Sequence, residues 1–558
     1  VLVVAVLTVT GALKQPPAVG AGAAWGVLAA EQAARGLGAR PTAVRMADPN
    51  DLSRNRLVPI TWRAPANGWA PYLFRSMGMS MAEALRATFI AAWALSLLGW
   101  IGVFHQGGLK GARLAALALV FASTRFVHSN AASYEGGDAL LLATFPWAVL
   151  LTLFAWRPAA KVDAAGFSFS AGLFLPVLYL VKHGAAVAAG AVALAWLLQA
   201  ARGGVSWKRL AIFALGAGAG SLLLDAWGNL GAPTSLMAPW DHAPNWDASW
   251  FYAWLPLAPT DLDALLRWLL MHPSRPVPFS EVWLTACGGL LLVALLALVL
   301  ARPSPEGGLV AVAACPEPAA TAGGLRGAWR AFRELTPPQA LALTLALAAP
   351  TALALLALRG NLPDAEPRML RPAALAGMAT VFTWLLDHAR FERGFRARFA
   401  LALLGALFAI PLLYGASTLV DKTLLRAPPP RGFVGACGTL VDSLPPGARV
   451  SDFREDVQHL AGGRRGLIWL PTPSLATEFV EERLLVTQAD TQSAATLAKL
   501  KYRGRPEGGV IVLHPDAFAS DGRLAAILRA FRDVPADAWR RHKLPRCPGW
   551  SVAVCGEP

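Results

Sequence analysis

Charge is scarce in this sequence, and so are cysteine and tyrosine. Asp, Glu, Lys and Arg together make up 15% of the 558 residues, beside five cysteines and six tyrosines. A soluble globular chain carries about a quarter of its residues charged, so this one lacks the polar surface to keep a 55% apolar composition in water. The cysteines are too few and too scattered for a disulfide framework. Cys287 falls in an apolar segment and Cys315 in a connector, while Cys437, Cys547 and Cys555 lie near the C-terminus. No pair has zinc-finger spacing, and a disulfide between two of the last three requires an oxidising compartment. The C-terminal region also lacks a phosphate-binding glycine loop, a nucleophile elbow and a metal motif.

What the chain has instead is hydrocarbon. Its mean hydropathy is +0.45, and apolar segments recur at lengths suited to crossing about 30 Å of lipid as helix. Spans are predicted at about 1–13, 82–104, 111–127, 138–156, 167–182, 185–201, 208–226, 281–301, 338–358, 369–388 and 399–420, some eleven in all. The first stretch is short for a span and has no Met or charged flank before it. It reads as an incomplete span, with a signal peptide as the rival.

Lys and Arg accumulate in cytoplasmic loops, and every second connection here is basic: Lys110 and Arg113; Arg157 and Lys161; Arg202, Lys208 and Arg209; Arg302, Arg326, Arg330 and Arg333; Arg390, Arg393, Arg396 and Arg398. That alternation places loops 14–80 and 227–280 and the C-terminal region outside the cytoplasm. The segment 302–336, rich in Ala, Gly and Pro, becomes a cytoplasmic connector. The net charge of +15 does not signal nucleic acid, because residues 428–558 contribute only +3 and the rest follows the membrane loops.

The expected domains are a membrane module over 1–427 and an extracytoplasmic α/β domain over 428–558, entered through Ala427-Pro-Pro-Pro-Arg431. Short β-branched runs at Ala448–Ser451, Gly466–Trp469, Gly509–Leu513 and Ser551–Val554 alternate with helical patterns near 453–461, 475–482, 491–501 and 522–532.

The loops carry a resemblance. A helical stretch, Ala24-Trp-Gly-Val-Leu-Ala-Ala-Glu-Gln-Ala-Ala-Arg-Gly36, is followed by Trp62-Arg-Ala-Pro-Ala-Asn-Gly-Trp-Ala-Pro-Tyr-Leu-Phe-Arg-Ser-Met-Gly78 leading into a span. Farther on come Leu180-Val-Lys-His-Gly184, Pro367-Arg-Met-Leu-Arg-Pro-Ala373 and the C-terminal Leu444-Pro-Pro-Gly-Ala-Arg-Val-Ser-Asp452. Together these resemble the GT-C superfamily of membrane glycosyltransferases, which includes the protein O-mannosyltransferases and the aminoarabinose transferases of lipid A. The resemblance implies a bacterial inner-membrane protein with its C-terminal domain outside the cytoplasm. It implies transfer of a sugar from a polyprenyl-phosphate donor to a lipid, glycan or protein acceptor, with no nucleotide site.

Lys182, Arg368 and Arg371, with Arg63 as a weaker fourth, are then the candidates for the donor phosphate. Members of the superfamily usually place an acid directly after the first span, whereas Lys14 to Trp25 here contains no carboxylate. Glu31, Asp48 or Asp51 would have to serve, or the chain is a non-catalytic scaffold. Glu135 and Asp138 sit where some relatives place a second acid, although Asp138 needs no role beyond capping a helix. Asp241, His242 and Asp247 are candidates for a divalent cation, with solvated loop residues as the plainer account. Tryptophans 227, 240, 246, 250, 254 and 268 in the same loop suit interface anchoring or sugar stacking. A transporter would place ionisable groups in mid-span and show inverted repeats, and neither is visible. The charge alternation makes a topological prediction. A reporter active only outside the cytoplasm is active when fused after Pro558 and silent when fused near Gly323, and the reverse pattern refutes the orientation.

Overall fold

The computed structural model describes residues 1–228, 329, 332–358, 371–420, 423, 433–434, 440–441 and 450–556. Short breaks fall at 15–16, 20, 38–39, 61–63, 125–126, 129–132, 135–136, 158–162, 392–393, 461–465, 478, 488, 490–491, 507 and 548. Arg63, Glu135, Arg368, Asp241, His242 and Asp247 lie outside the described residues, as do the predicted span 281–301, Cys437 and the loop tryptophans 240–268.

The chain opens with α1 (Leu2–Lys14), β1 (Ala18–Val19), α2 (Ala21–Ala34), a hairpin of β2 (Ala43–Asp48) and β3 (Asp51–Pro59), and α3 (Ala66–Ser76). The membrane part follows as α4 (Met81–Gln106), α5 (Gly111–Ser123), β4 (Ser133–Tyr134), α6 (Asp138–Ala155), α7 (Asp163–Val181), α8 (Ala185–Ala201) and α9 (Trp207–Gly228). It continues with α10 (Pro337–Leu358), α11 (Arg371–Phe391), α12 (Phe395–Ala409), a π-helical turn (Ile410–Gly415) and α13 (Ala416–Val420). Three of these helices, Met81–Gln106, Asp138–Ala155 and the stretch Ala164–Val181, are each long and apolar enough by themselves to cross a bilayer. Helices also stand at the other predicted spans that fall within the described residues.

Local chemistry sets the ends. Ser80 starts α4 with a reciprocal capping box: the Glu83 amide donates to Ser80 Oγ at 3.3 Å, and the Ser80 amide donates to Glu83 Oε2 at 2.8 Å. Inside the bundle, Trp100 packs among Phe104, Phe121 and Phe145, and Trp196 stacks on Phe213 with ring centres 4.4 Å apart. Where α7 crosses α9, glycine is obligatory. A Cβ on Gly172 would sit 2.0 Å from the Phe213 carbonyl oxygen, and one on Gly216 2.2 Å from that of Phe169. In lipid, where apolar side chains gain nothing by leaving the solvent, such close backbone contact is what holds helices together.

Besides the β2–β3 hairpin, the described residues form two larger sheets. The first is small and joins distant parts of the chain: β1 runs parallel to both β4 and β6 (Leu440–Val441), and β5 (Phe433–Val434) pairs antiparallel with β6. The second has five strands in the order β10 (Arg540–Lys543), β11 (Trp550–Cys555), β9 (Val510–Pro515), β7 (Leu467–Leu470), β8 (Arg483–Val486). Strands β7, β8 and β9 are parallel, while β10 and β11 are antiparallel additions. The expected strands at 466–469, 509–513 and 551–554 are present. The expected strand at Ala448–Ser451 is not. A helix, Val450–Leu460, begins there instead, because Val450, Phe453, Val457 and Leu460 repeat at helical spacing. Strands β8 and β10 and the β2–β3 hairpin were not anticipated.

The five-stranded sheet is not packed on its own residues alone. Trp25, Leu28, Val44, Met46 and Val58 from the first loop share one core with Ile468, Phe479, Leu513 and Trp550. Backbone bonds close the junction: the Leu52 amide donates to the Arg503 carbonyl at 2.8 Å, and the Arg503 amide to that of Pro49 at 3.0 Å.

Within this sheet His514 is buried, its Nδ1–H donating to the Pro515 carbonyl at 3.0 Å while Nε2 has no partner. Burial pushes its pKa below the ordinary value of 6.5, outweighing the bond to Pro515 and the opposing pull of Asp516. The unfolded chain therefore binds more protons than the folded one at pH values between the two pKa values. Stability contributed by the neutral ring is present above about pH 6.5 and is lost as pH falls toward the folded value. Unfolding temperatures measured from pH 7.5 down to 5.5 should fall less steeply for His514→Phe than for the wild type, and parallel curves would refute the linkage.

Candidate active site

Helix α6 begins at a glycine that has no substitute. Gly137 has φ +88°, in the left-handed region, and a Cβ there would meet the Val181 carbonyl oxygen at 2.6 Å and Asn67 Oδ1 at 3.0 Å. The close approach presses the start of α6 against the end of α7, with the α3 side chain of Asn67 filling the third side. Its consequence is an ion pair between the next residue on each side: Lys182 Nζ donates to Asp138 Oδ1. Asp138 and Lys182 are 8% and 9% exposed, and Asn67 is 2% exposed, so the pair is largely screened from water.

The helix ends favour this arrangement. Asp138 is the first residue of α6, where the exposed amides favour an anion, and Lys182 follows the last residue of α7, where the exposed carbonyls favour a cation. Beside Lys182, the His183 ring stacks on Tyr179 at 4.7 Å. Strand β4 leads toward α6 and hydrogen-bonds to β1, which in turn pairs with β6. The stretch after α1 and a C-terminal segment are thus both tied to the strand that precedes Asp138.

Chemically, the pair offers a carboxylate able to take a proton and an ammonium able to hold an anion, in a setting where each is strengthened by low dielectric. Farther along α8, an apolar cleft of about 830 Å³ opens between α8 and α10, lined by Gly190, Leu194, Leu198 and Leu347 and flanked by Trp329 and Phe332. Its first residue, Gly190, lies on α8, the helix that follows the turn carrying Lys182.

The other sequence candidates are placed elsewhere. Arg371 is the first residue of α11 and is half-buried. Glu31 is buried on α2 with both carboxylate oxygens occupied, one by Arg35 Nε at 2.6 Å and the other by Arg75 Nε at 2.9 Å. Arg35 continues to Glu481 at 2.7 Å, so Glu31 is the centre of a clamp between the first loop and the C-terminal region. Asp48 and Asp51 shape the tip of the β2–β3 hairpin. Asp48 accepts from the Asn50 amide at 3.0 Å and faces Arg56 at 3.7 Å, and Asp51 faces Arg54 at 3.2 Å. Hydrogen bonds from the Ser53 hydroxyl and amide hold the Asp51 carboxyl below its usual range. Three acids considered as stand-ins for the missing one are therefore engaged in scaffold contacts. Among the described residues, no group of three or more His, Cys, Asp or Glu side chains is arranged for a metal ion.

Sequence reasoning missed Asn67 and Gly137. The available signal was the pair Gly136-Gly137 directly before Asp138, a turn that places an acid at a helix start.

No protein-family profile matches the chain, and no curated protein matches it. Among solved structures the chain is similar to ArnT from Cupriavidus metallidurans in the apo state, at 13% identity and a TM-score of 0.43 over 100% of this chain and 98% of that one. It is similar to ArnT bound to undecaprenyl phosphate at 14% identity and a TM-score of 0.41, with the same coverage. It is also similar to the oligosaccharyltransferase AglB from Archaeoglobus fulgidus in complex with an inhibitory peptide and a dolichol-phosphate. That likeness has 12% identity and a TM-score of 0.45 over 100% of this chain and 74% of that one.

The ion pair sets a stability prediction. Lys182→Met removes the ammonium from a buried carboxylate and should destabilise by about 3–5 kcal/mol, whereas the double change Asp138→Leu, Lys182→Met should recover most of the loss. Thermal unfolding of the purified variants measures this, and equal losses in the single and double variants would show that the charges are not coupled.

Proposed function

We propose that this chain is a GT-C-like glycosyltransferase, moving a sugar from a polyprenyl-phosphate donor to a lipid, glycan or protein acceptor at the extracytoplasmic face of a bacterial inner membrane. In this reading residues 1–427 form a membrane module of about eleven spans, and residues 428–558 an extracytoplasmic α/β domain seated on the first loop. The observation that carries it is the buried pair Asp138–Lys182, which joins the start of α6 to the residue after α7. A buried ion pair is weak support for stability alone, because desolvation offsets most of the attraction. A site that must alternately hold an anion and accept a proton gives it a use.

The lipid class is that of the undecaprenyl phosphate and dolichol-phosphate found with ArnT and AglB. Lys182 and the arginines near the same boundary support it in this chain. A donor phosphate arriving beside Lys182 competes with Asp138 for the ammonium, each charge-assisted bond contributing about 1.5–3 kcal/mol. Asp138 is then released to take a proton from the acceptor. The acceptor's lone pair bonds the anomeric carbon, the bond from that carbon to the phosphate oxygen breaks, and its electrons leave on the polyprenyl phosphate. Arg368, Arg371 and Arg63 complete the phosphate's cations. Arg371 suits this task because a cation at a helix start opposes the helix dipole and gains from a nearby anion. The cleft along α8 offers the lipid chain an apolar path leading away from Lys182. Glu135 is the reserve acid. The scheme requires no step from a divalent cation at Asp241, His242 and Asp247.

A second reading, a non-catalytic scaffold that binds the lipid without turnover, is favoured by the absence of a carboxylate from Lys14 to Trp25 and by the full engagement of Glu31. One experiment separates them: binding and transfer of a radiolabelled polyprenyl-phosphate sugar by purified protein. Asp138→Asn with Lys182→Gln removes both charges while keeping the shapes, and should weaken donor binding about tenfold or more with unfolding unchanged. Donor binding with no transfer to lipid, glycan or peptide acceptors supports the scaffold. Unchanged affinity in the double variant removes the phosphate site.

A further inference from the structure

The five-stranded sheet ends in an unusual edge. Strand β10 reads Arg540-Arg541-His542-Lys543, pairs on one side only with β11, and is exposed at all four positions. On an antiparallel edge, alternate residues turn their amide and carbonyl away from the sheet, so β10 offers unused backbone donors and acceptors. Among the described residues, Arg540, Arg541 and Lys543 have no ion-pair partner. Nearby arginines do: Arg546 is held by Asp456 at 2.7 Å and Glu455 at 2.9 Å, and Arg523 by Asp521 at 2.6 Å. Asp456, Glu455 and Asp521 are committed to those arginines, and the edge itself carries three cations and no acid.

The geometry points to β10 as a docking edge for an extended acidic segment of another protein, which adds to the sheet as a further strand. Successive residues of a strand face opposite sides. Arg540 and His542 therefore project from one face and Arg541 and Lys543 from the other. A flat anionic membrane surface meets only one of those faces. An extended chain lying alongside β10 meets both, and its own alternating side chains match each cation in turn while its backbone completes the ladder. A second copy of β10 is excluded as the occupant, since like charges would stand opposite one another. Charges on an edge strand also deter unwanted pairing. Here the same charges select one kind of strand.

The inference does not depend on the glycosyl-transfer reading. Its test uses the full chain in neutral detergent and a short fluorescent peptide containing a run of glutamates, with binding followed by anisotropy. The peptide should bind the wild type, and Arg540→Gln, Arg541→Gln, Lys543→Gln in one variant should weaken it about tenfold or more at an unchanged unfolding temperature. A peptide of the same charge with its backbone amides methylated should lose affinity to a similar degree. Equal binding of the methylated peptide reduces the contact to charge alone and overturns strand addition. So does an unaffected triple variant. Phosphatidylglycerol vesicles that bind in place of the peptide, with the same sensitivity to the triple change, would instead assign the edge to the membrane.

Discussion

A carboxylate and an ammonium withdrawn from water attract strongly only at contact, and each becomes a liability when the other moves away. The neighbourhood of Asp138 and Lys182 is organised by that demand. Gly137 permits the backbone of α6 to lie against the last carbonyl of α7, and Asn67 fills the space that remains. The two helix ends supply opposite partial charges to the two residues that need them. Beyond this shell, the glycine contacts of α7 with α9 fix where α7 ends up, and hence where Lys182 stands.

The first loop joins the bundle to the C-terminal sheet. Helix α3 sets Asn67 against Gly137, and Arg75 on the same helix reaches Glu31 on α2, which binds Arg35 and through it Glu481. Three short charge-assisted contacts thus connect Glu481 of the C-terminal region to the helix that carries Asn67. The hairpin tip, shaped by Asp48 and Asp51, adds backbone bonds to Arg503 at the other end of the junction. These acids hold geometry: each carboxylate carries a hydrogen bond or an ion pair within the junction.

Legibility followed the physics of each element. Apolar helices announce themselves by composition, so α4, α6 and α7 were readable. Lys182 and Asp138 were each singled out, yet their partnership was not, because they lie 44 residues apart and nothing in either segment names the other. The cations were expected to gather on a phosphate. The structure pairs Lys182 with the Asp138 carboxylate. Strand β10 was illegible for a different reason: it buries nothing, so it has no alternation to detect, and four polar residues read as a solvated charge run. Val450 misled in the other direction, since a β-branched residue between two polar ones resembles a strand until Val457 and Leu460 are counted with it.

The small sheet carries a consequence for the order of assembly. Its middle strands, Ala18–Val19 and Leu440–Val441, are separated by most of the chain, and their neighbour Ser133–Tyr134 comes from a third region. The contacts of α6 with α7 are local and can form soon after both helices enter the membrane. The parallel pairing of β1 with β6 must wait until more than four hundred residues have been made and residues 440–441 have reached the same side as β1. Until then the strand before Asp138 has one neighbour on β1 and the other edge of β1 stays open. A chain stalled before that pairing forms would hold its buried charges in place with the other edge of β1 unpaired.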